Sequence, residues 1–245
     1  MPGQRQRLSD RLALLLSLLA VVAGALVTER IFEGLPHFED EFAYTWQAKV
    51  FEGGHLYLPS PDYPHSFMVP FVVDYQGRRF SKYPPGWSLL LGLGVRLGLR
   101  AWINPFLAGL GVWLTYQLGK RVFNAAVGCL AAGLTLTSPF FLMNSGSLLN
   151  HPLGLVLSVG LALCWLRAFC EPDETHPWRA TVTAGLLIGV LALTRPWTAV
   201  GVAIPLAIHS VIILRQGNRH RRLRLSVFCL IAAAVASLLL LWQYL

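Results

Sequence analysis

The sequence predicts an all-α membrane protein, a polytopic bundle of about seven transmembrane helices with a large first extracytoplasmic loop. Only 13% of its 245 residues are charged and 55% are hydrophobic, whereas an average soluble domain has roughly 25% charged residues. Apolar runs approaching the roughly 17–25 residues that a helix needs to cross a bilayer recur along the chain. The acidic residues, in contrast, concentrate between the first two of these runs.

Seven apolar runs are the candidate spans. They occupy residues 12–27, 102–118, 125–143, 152–166, 180–193, 199–214 and 225–241. The first run follows several arginines and ends in small residues, so it is compatible with a cleaved signal peptide or with an uncleaved signal anchor. The six further runs favour the anchor.

The segment "PPGWSLLLGLGVRLGL" at 84–99 is short, rich in glycine and interrupted by Arg96. A segment of this length predicts an interfacial or re-entrant helix rather than a span. The first extracytoplasmic loop would therefore continue to about residue 100 and carry short interfacial helices.

The charge distribution predicts the orientation of the chain. Segment 29–82 carries eight acidic and five basic residues, while the rest of the chain carries four acidic and fifteen basic residues. If 84–99 does not span, twelve of the 20 Lys and Arg residues lie inside, including the run "RQGNRHRRLR" at 215–224. The positive-inside rule then predicts a cytoplasmic N-terminus and an extracytoplasmic loop 29–100.

We therefore expect one transmembrane domain over residues 1–245, with loop 29–100 inserted after the first helix, in a bacterial-type inner (plasma) membrane. The net charge of +8 follows from this topology and does not indicate nucleic-acid binding. The 4 cysteines lie in or beside apolar runs, so they predict no disulfide framework. The sequence lacks a phosphate-binding Gly-rich loop, a nucleophile elbow and a paired-cysteine metal motif.

The stretch "PHFEDEFAYTWQAKV" at 36–50 holds the densest acidic cluster. Apolar side chains spaced four apart predict an amphipathic helix that ends at Gly53–Gly54: Phe38, Phe42, Trp46 and Val50. The acids Glu39, Asp40 and Glu41 would occupy its first turn, where carboxylates stabilise the helix dipole. The alternative is a functional carboxylate that acts as a general base at the membrane surface.

Two quoted segments resemble a known family. "FEDEFAYTWQAKVFEGGHLYLPSP" and "GRRFSKYPPGWSLLLGLG" are similar to the first extracytoplasmic loop of polytopic glycosyltransferases of the C superfamily, which includes lipid A aminoarabinose transferases and protein O-mannosyltransferases. The shared pattern falls on Asp40–Glu41, on Tyr44, on the turn 54–57 and on the Lys82 that precedes Tyr-Pro-Pro. Further similarity at 137–155 and 185–200 extends the resemblance over most of the chain.

The resemblance implies transfer of a sugar from a polyprenyl-phosphate donor to a hydroxyl of a lipid or glycan acceptor, with inversion. The catalytic residues would be Asp40 and Glu41, with Asp40 as the general base, and Tyr44 would contact substrate. Lys82, Arg78 and Arg79 could stabilise the leaving phosphate. Arg78 and Arg79 could instead belong to a solvated hairpin, and Lys82 could instead snorkel from a helix end.

The other predicted outer loops supply further substrate-binding candidates. Asn150 and His151 lie in "NSGSLLNHP", where many relatives carry a second acid that this sequence lacks. His151 could bind a divalent metal with His37, His55 and His65, although their spacing matches no recognised motif, or it could contact lipid headgroups. Arg195 could bind a phosphodiester through its guanidinium, or it could be an interfacial snorkelling residue.

Two other functions remain open from the sequence. A transporter or flippase of lipid-linked sugars would be expected to show repeated halves and polar residues near the middle of its spans, and neither a repeat nor a mid-span carboxylate is visible. A non-catalytic or incomplete relative is the other alternative, because members of the family are usually longer. The chain would then be a fragment, or would need a partner subunit that supplies the missing C-terminal part.

Overall fold

The computed structural model describes residues 2–171 and 176–244, and this part of the chain is mostly helical. The chain divides into two compact units, Met1–Leu153 and Gly154–Leu245. The elements of the first unit are α1 (Pro2–Arg30), α2 (Glu39–Glu52), β1 (Leu58–Pro59), β2 (Val72–Tyr75), β3 (Arg78–Ser81), α3 (Pro85–Arg96), α4 (Ile103–Val122), α5 (Ala125–Thr137) and α6 (Pro139–Gly146). Helix α7 (His151–Trp165) contains the boundary, and the second unit continues with α8 (Pro177–Thr194), α9 (Pro196–Gln216), α10 (Arg219–Ala236) and α11 (Leu238–Gln243).

The helices support a polytopic membrane protein. In the described residues, 5 segments are long and apolar enough to cross a membrane: Gln6–Arg30, His151–Cys170, Pro177–Thr194, Pro196–Gln216 and Arg219–Gln243. The bent pair α5 and α6 would be one more span. Helix α4 covers the predicted second span and has 20 residues, but it is not among these segments, so the total of seven spans stays a prediction.

The predicted single run 125–143 is two helices in the structure, bent by 64° at their junction. Pro139 cannot donate the backbone hydrogen bond that would continue α5. Ser138 caps the new helix, because its hydroxyl accepts a hydrogen bond from the backbone N–H of Phe141 at 3.4 Å. The sequence signal for the break was therefore present, within a continuous apolar run.

In the first unit, α4 runs antiparallel to α1 along most of its length. Near one end, the Asp10 carboxylate accepts hydrogen bonds from the Tyr116 hydroxyl and the Lys120 ammonium, each at 2.5 Å. Near the other end, a Cβ placed on Gly24 would lie 3.1 Å from the Cα of Pro105. The two helices thus contact each other at both ends.

Small residues bring these helices close together. A Cβ on Gly109 of α4 would lie 2.5 Å from a methyl carbon of Val21, and one on Gly146 of α6 would lie 2.4 Å from a methyl carbon of Val27. Thr28 of α1 donates a hydrogen bond to the Gly146 carbonyl at 3.0 Å. Such contacts are typical of helix packing in membranes, where small residues let backbones approach.

The loop between α1 and α4 contains α2, α3 and a small antiparallel sheet of order β1-β3-β2. The suggested hairpin is confirmed, since Tyr75 pairs with Arg78 across a turn at Gln76 and Gly77. Both turn residues have positive φ, 50° and 76°, as two-residue hairpin turns commonly require. Arg79, however, is not solvated, because only 7% of its surface is exposed.

Helix α2 forms where the apolar spacing predicted it and stops before Gly53 and Gly54. The predicted apolar stripe is divided: Phe38 and Phe42 are largely exposed, whereas Val50 is buried. Helix α3 packs closely on α2, as a Cβ on Gly92 would lie 2.8 Å from the Ala48 carbonyl oxygen. With only 12 residues, α3 agrees with the prediction that 84–99 does not span.

The second unit has an aromatic core between its long helices. Trp165 of α7 contacts Phe169 and Phe228, with ring centroids 4.5 and 5.1 Å away. Its indole N–H donates to the His209 Nδ1 atom at 2.9 Å. His209 is therefore a packed histidine that is hydrogen-bonded to a neighbouring helix.

Candidate functional site

The three acids at the start of α2 enter three different environments. All three lie in the first turn of the helix, as predicted. Consecutive side chains on a helix point about 100° apart, so Glu39 is exposed, Asp40 is half-buried and Glu41 is fully buried. This separation distinguishes the possible roles of the three carboxylates.

Glu41 connects α2 to a distant part of the first unit. One carboxylate oxygen accepts hydrogen bonds from the backbone N–H groups of His37 at 2.6 Å and Phe38 at 3.1 Å, which closes the helix N-terminus. The other oxygen accepts from the backbone N–H of Leu148 at 2.6 Å. Both oxygens are thus occupied by the protein itself, an arrangement suited to positioning rather than to contact with substrate.

Asp40 is held from one side only. Its Oδ1 atom accepts a hydrogen bond from the Tyr83 hydroxyl at 2.5 Å. Burial, followed by this hydrogen bond and the charge of Asp40, raises the pKa of Tyr83 well above its ordinary value of 10.0, so the phenol remains a donor. Among the described residues, the Oδ2 atom of Asp40 makes no hydrogen bond.

Aromatic rings and a lysine surround the Tyr83 side of this pair. The Tyr83 ring lies 4.8 Å from Tyr44 and 5.7 Å from Phe71 between centroids. The exposed Lys82 ammonium lies 3.5 Å from the Phe71 ring centroid and 5.1 Å from that of Tyr83. Cation–π contacts at exposed sites are weak, and these two bring the Lys82 ammonium to the ring whose hydroxyl binds Asp40.

Tyr44 links α2 to Asn150, the last residue before α7. The Asn150 side-chain amide donates to the Tyr44 hydroxyl at 3.2 Å. The Asn104 side-chain amide also holds segment 147–150, because it donates to the carbonyls of Ser147 at 2.6 Å and Leu149 at 2.8 Å. Two residues predicted from separate parts of the sequence, Tyr44 and Asn150, are therefore brought together, and the Tyr44 ring contacts that of Tyr83, the partner of Asp40.

The arginines of β3 differ in their surroundings. The Arg78 guanidinium lies over the Tyr57 ring at 4.8 Å from its centroid. Arg79 donates a short hydrogen bond to the Phe67 carbonyl and lies 3.8 Å from the Asp74 carboxylate, so it stabilises the hairpin. Of the two, Arg78 remains the candidate for contact with substrate.

The two remaining predicted substrate-binding residues are His151 and Arg195. His151 begins α7, and its ring contacts Phe140 at 5.9 Å between centroids. Arg195 belongs to the second unit, where its Nε donates to the Thr198 hydroxyl at 3.2 Å and its Cδ lies 3.0 Å from a Cβ placed on Gly154. The roles of both residues in substrate binding stay predictions from the sequence.

The proposed histidine metal site is not preassembled. Across residues 2–171 and 176–244, no group of three or more His, Cys, Asp or Glu side chains is arranged to hold a metal ion. His37, for example, directs its Nδ1 atom to the Leu35 carbonyl at 3.0 Å.

Sequence reasoning missed two polar residues that build the site. Tyr83 lies inside the "KYPP" motif, but its bond to Asp40 spans 43 residues. Gln47 is 1% exposed, accepts from the Ser81 N–H at 2.9 Å and donates to the Leu56 carbonyl at 2.9 Å. The available signal was a glutamine three residues after Tyr44, on the same helix face.

Comparison with protein families identifies the chain. The family described as dolichyl-phosphate-mannose-protein mannosyltransferase matches residues 82–242. The chain belongs to this family. It is therefore a glycosyltransferase of the C superfamily, in agreement with the resemblance seen in the sequence. The matched segment of this mannosyltransferase-family protein includes Lys82, Tyr83 and Asn150 but begins after α2. Comparisons with curated proteins and with solved structures gave no significant match.

Proposed function

We propose that the protein transfers a sugar from a polyprenyl-phosphate donor to an acceptor hydroxyl, with Asp40 as the general base. The observation that carries this proposal is the one-sided hydrogen bonding of Asp40: Tyr83 fixes Oδ1 at 2.5 Å, while Oδ2 faces no protein donor in the described part of the chain. A general base must reach a substrate proton directly, so an anchored carboxylate with one open oxygen suits that role.

In the proposed reaction, the acceptor hydroxyl gives its proton to Oδ2 of Asp40. The acceptor oxygen forms a bond to the anomeric carbon as the bond from that carbon to the phosphate oxygen breaks. The bonding pair leaves with the polyprenyl phosphate on the opposite face. This single displacement inverts the anomeric centre. Glu41 acts as a positioning residue, because it fixes the start of α2 and therefore the direction of Asp40.

The leaving phosphate requires a positive group. Lys82 is exposed and held above Phe71 at 3.5 Å. An exposed cation–π contact contributes only about 0.5–1 kcal/mol, so the ammonium can turn towards a phosphate at little cost. We propose Lys82 as the first phosphate ligand and Arg78 as a second. Tyr44, Asn150 and His151 would contact the substrate, and Arg195 would bind phosphate.

We also propose seven spans, with the N-terminus in the cytoplasm of a cell with a bacterial-type inner membrane. The contacts of α4 with both ends of α1 support α4 as the second span, because α1 is itself a candidate span. The loop that connects α1 to α4, which carries Asp40 and Lys82, would then be extracytoplasmic. The substrates would be a lipid-linked sugar and a lipid or glycan acceptor.

The test is a transfer assay on membranes supplied with a panel of polyprenyl-phosphate sugars, with glycan products followed by mass spectrometry. We expect Asp40→Asn to reduce transfer by about 10²–10⁴-fold, the usual contribution of a general base. The matched control is Glu39→Gln, which removes the same charge from the same helical turn at an exposed position. Both variants should insert in equal amounts.

An undiminished transfer rate in Asp40→Asn would refute the proposal. Transfer that requires a co-expressed second polypeptide would instead identify the chain as the partner subunit of a larger enzyme. Movement of labelled lipid-linked sugar across sealed vesicles, without formation of a glycosidic bond, would indicate a flippase.

A further inference from the structure

The second unit contains a polar cavity of about 350 Å³ that the proposed reaction does not use. Its lining comes from Glu171, from the first turn of α8 and from the start of α10. Its lining residues are Glu171, Pro177, Trp178, Asn218, His220, Arg221 and Arg224. The volume falls within the roughly 300–1,000 Å³ of typical ligand sites.

Two arginines give this cavity its charge. Arg221 and Arg224 are three residues apart on α10, so their side chains share one helix face, and both line the cavity. The Nε atom of Arg224 is buried without a hydrogen-bond partner in the described part of the chain. Its guanidinium instead lies 5.9 Å from the Phe169 ring centroid. A buried donor without an acceptor is costly, which points to an acceptor supplied from outside.

The chemistry around the arginines suits a phosphate group. A guanidinium fork matches phosphate oxygens in bidentate geometry. Trp178, which is 43% exposed, begins α8 at the cavity, and tryptophans are common at headgroup depth. Glu171 is the one acid among the described lining residues, so the arginine pair gives the lining a positive balance.

We propose that this cavity binds the phosphate of an anionic glycerophospholipid headgroup. The charge count of the sequence places residues 215–224 on the cytoplasmic side, where the leaflet carries anionic lipids and basic pockets between helices bind their headgroups. This inference is independent of the proposed transfer reaction, since none of its residues contributes to the Asp40 site.

A binding site and a topology signal make different demands on the arginines. A topology signal needs only net positive charge near the span, so Arg219, Arg221, Arg222 and Arg224 would be equivalent. A binding site needs the two that line the cavity. Arg219 and Arg222 are exposed, are also three residues apart, and do not line the cavity, so they are matched controls.

The experiment is native mass spectrometry of the purified full chain, with phosphatidylglycerol and phosphatidylcholine offered in equal amounts. We expect retention of phosphatidylglycerol. Arg221→Gln/Arg224→Gln should reduce its retention by about tenfold or more, because two charge-assisted contacts are lost. Arg219→Gln/Arg222→Gln should change it by less than about twofold. If the glutamine pair does not fold, Arg221→Lys/Arg224→Lys keeps the charge, and it should reduce retention more than Arg219→Lys/Arg222→Lys.

Several results would overturn the proposal. Equal loss of retention in both double variants would mean that the lipid is attracted by the overall positive charge and not by the cavity. Equal retention of the two lipids would mean that the cavity does not select an anionic headgroup. Displacement of phosphatidylglycerol by inorganic phosphate at equal concentration would assign the cavity to free phosphate. Asp173 and Glu174 lie outside the described residues; if wild type retains no lipid but Asp173→Asn/Glu174→Gln does, the chain's own acids occupy the arginines.

Discussion

Replacing Glu41 with glutamine would remove one of its two carboxylate oxygens, of which one binds the start of α2 and the other binds segment 147–150. In the wild type, one oxygen accepts from the N–H groups of His37 and Phe38, and the other accepts from the N–H of Leu148. Glutamine has a single acceptor oxygen and a donor –NH₂ group. If its oxygen keeps the two bonds at the helix start, its –NH₂ group faces the Leu148 N–H, and no hydrogen bond forms.

The magnitude follows from the bond that is lost. A hydrogen bond to a charged group contributes about 1.5–3 kcal/mol, and the Leu148 N–H would remain buried without an acceptor. We therefore expect segment 147–150 to open more easily by about 2–3 kcal/mol, which corresponds to an increase of roughly 30- to 150-fold in local opening. Because Glu41 has no exposed surface, bulk water does not replace the lost acceptor.

Hydrogen–deuterium exchange of the purified chain measures this opening directly. The peptide that contains Leu148 should exchange faster in Glu41→Gln, while peptides from the second unit should not change. Glu39→Gln is the control, since Glu39 is exposed in the same turn. Unchanged exchange at Leu148, or an equal increase in the control, would show that Glu41 does not hold this segment.

Three further predictions concern Tyr83 and the contact between α1 and α4. Tyr83→Phe keeps the ring packing but removes the donor to Asp40, so we expect kcat to fall about tenfold in the transfer assay, with unchanged protein in the membrane. The pKa of Tyr83 is raised above its ordinary value of 10.0, so folding favours the protonated phenol. This stabilisation is fully present below about pH 10 and is lost gradually as the pH rises from there through the raised pKa. Tyrosinate absorbance of wild type and Tyr83→Phe should therefore coincide up to about pH 10; a difference there would contradict the shift. Gly109→Ala should lower the free energy of unfolding by about 1–3 kcal/mol, because its Cβ would lie 2.5 Å from a Val21 methyl carbon. Thermal unfolding of the purified chain measures this loss. In the same measurement Gly133→Ala is the control, because Gly133 has open space around it, and it should be neutral or slightly stabilising.

The elements that sequence predicted well are those with local signals. Helix α2 follows from side chains spaced four apart and from Gly53–Gly54. The short helix α3 follows from the limited length of its apolar stretch and from Pro85 in its first turn. The hairpin follows from Gln76–Gly77. Each signal lies within a few residues of the element that it specifies, so tertiary contacts did not need to be known.

The different burial and hydrogen-bond partners of Asp40 and Glu41 could not be predicted from local signals. The sequence presents Asp40 and Glu41 as neighbours of similar chemistry. Their partners are 43 and 107 residues away along the chain, Tyr83 for Asp40 and Leu148 for Glu41. No local spacing encodes which of the two will be buried, because that depends on how α2 packs against α3 and segment 147–150.

The long reach of the Glu41 contact has a consequence for the order of biosynthesis. The ribosome synthesises α2 well before Leu148. The Trp87 indole N–H also depends on Leu148, because it donates to the Leu148 carbonyl at 2.8 Å, and that residue lies 61 residues later in the chain. A nascent chain that has emerged only as far as α5 therefore carries a carboxylate and an indole without their final partners. Arrival of α6 and the residues after it supplies both partners at once, so the loop that carries Asp40 reaches its final contacts only after the third span of the proposed topology has been made.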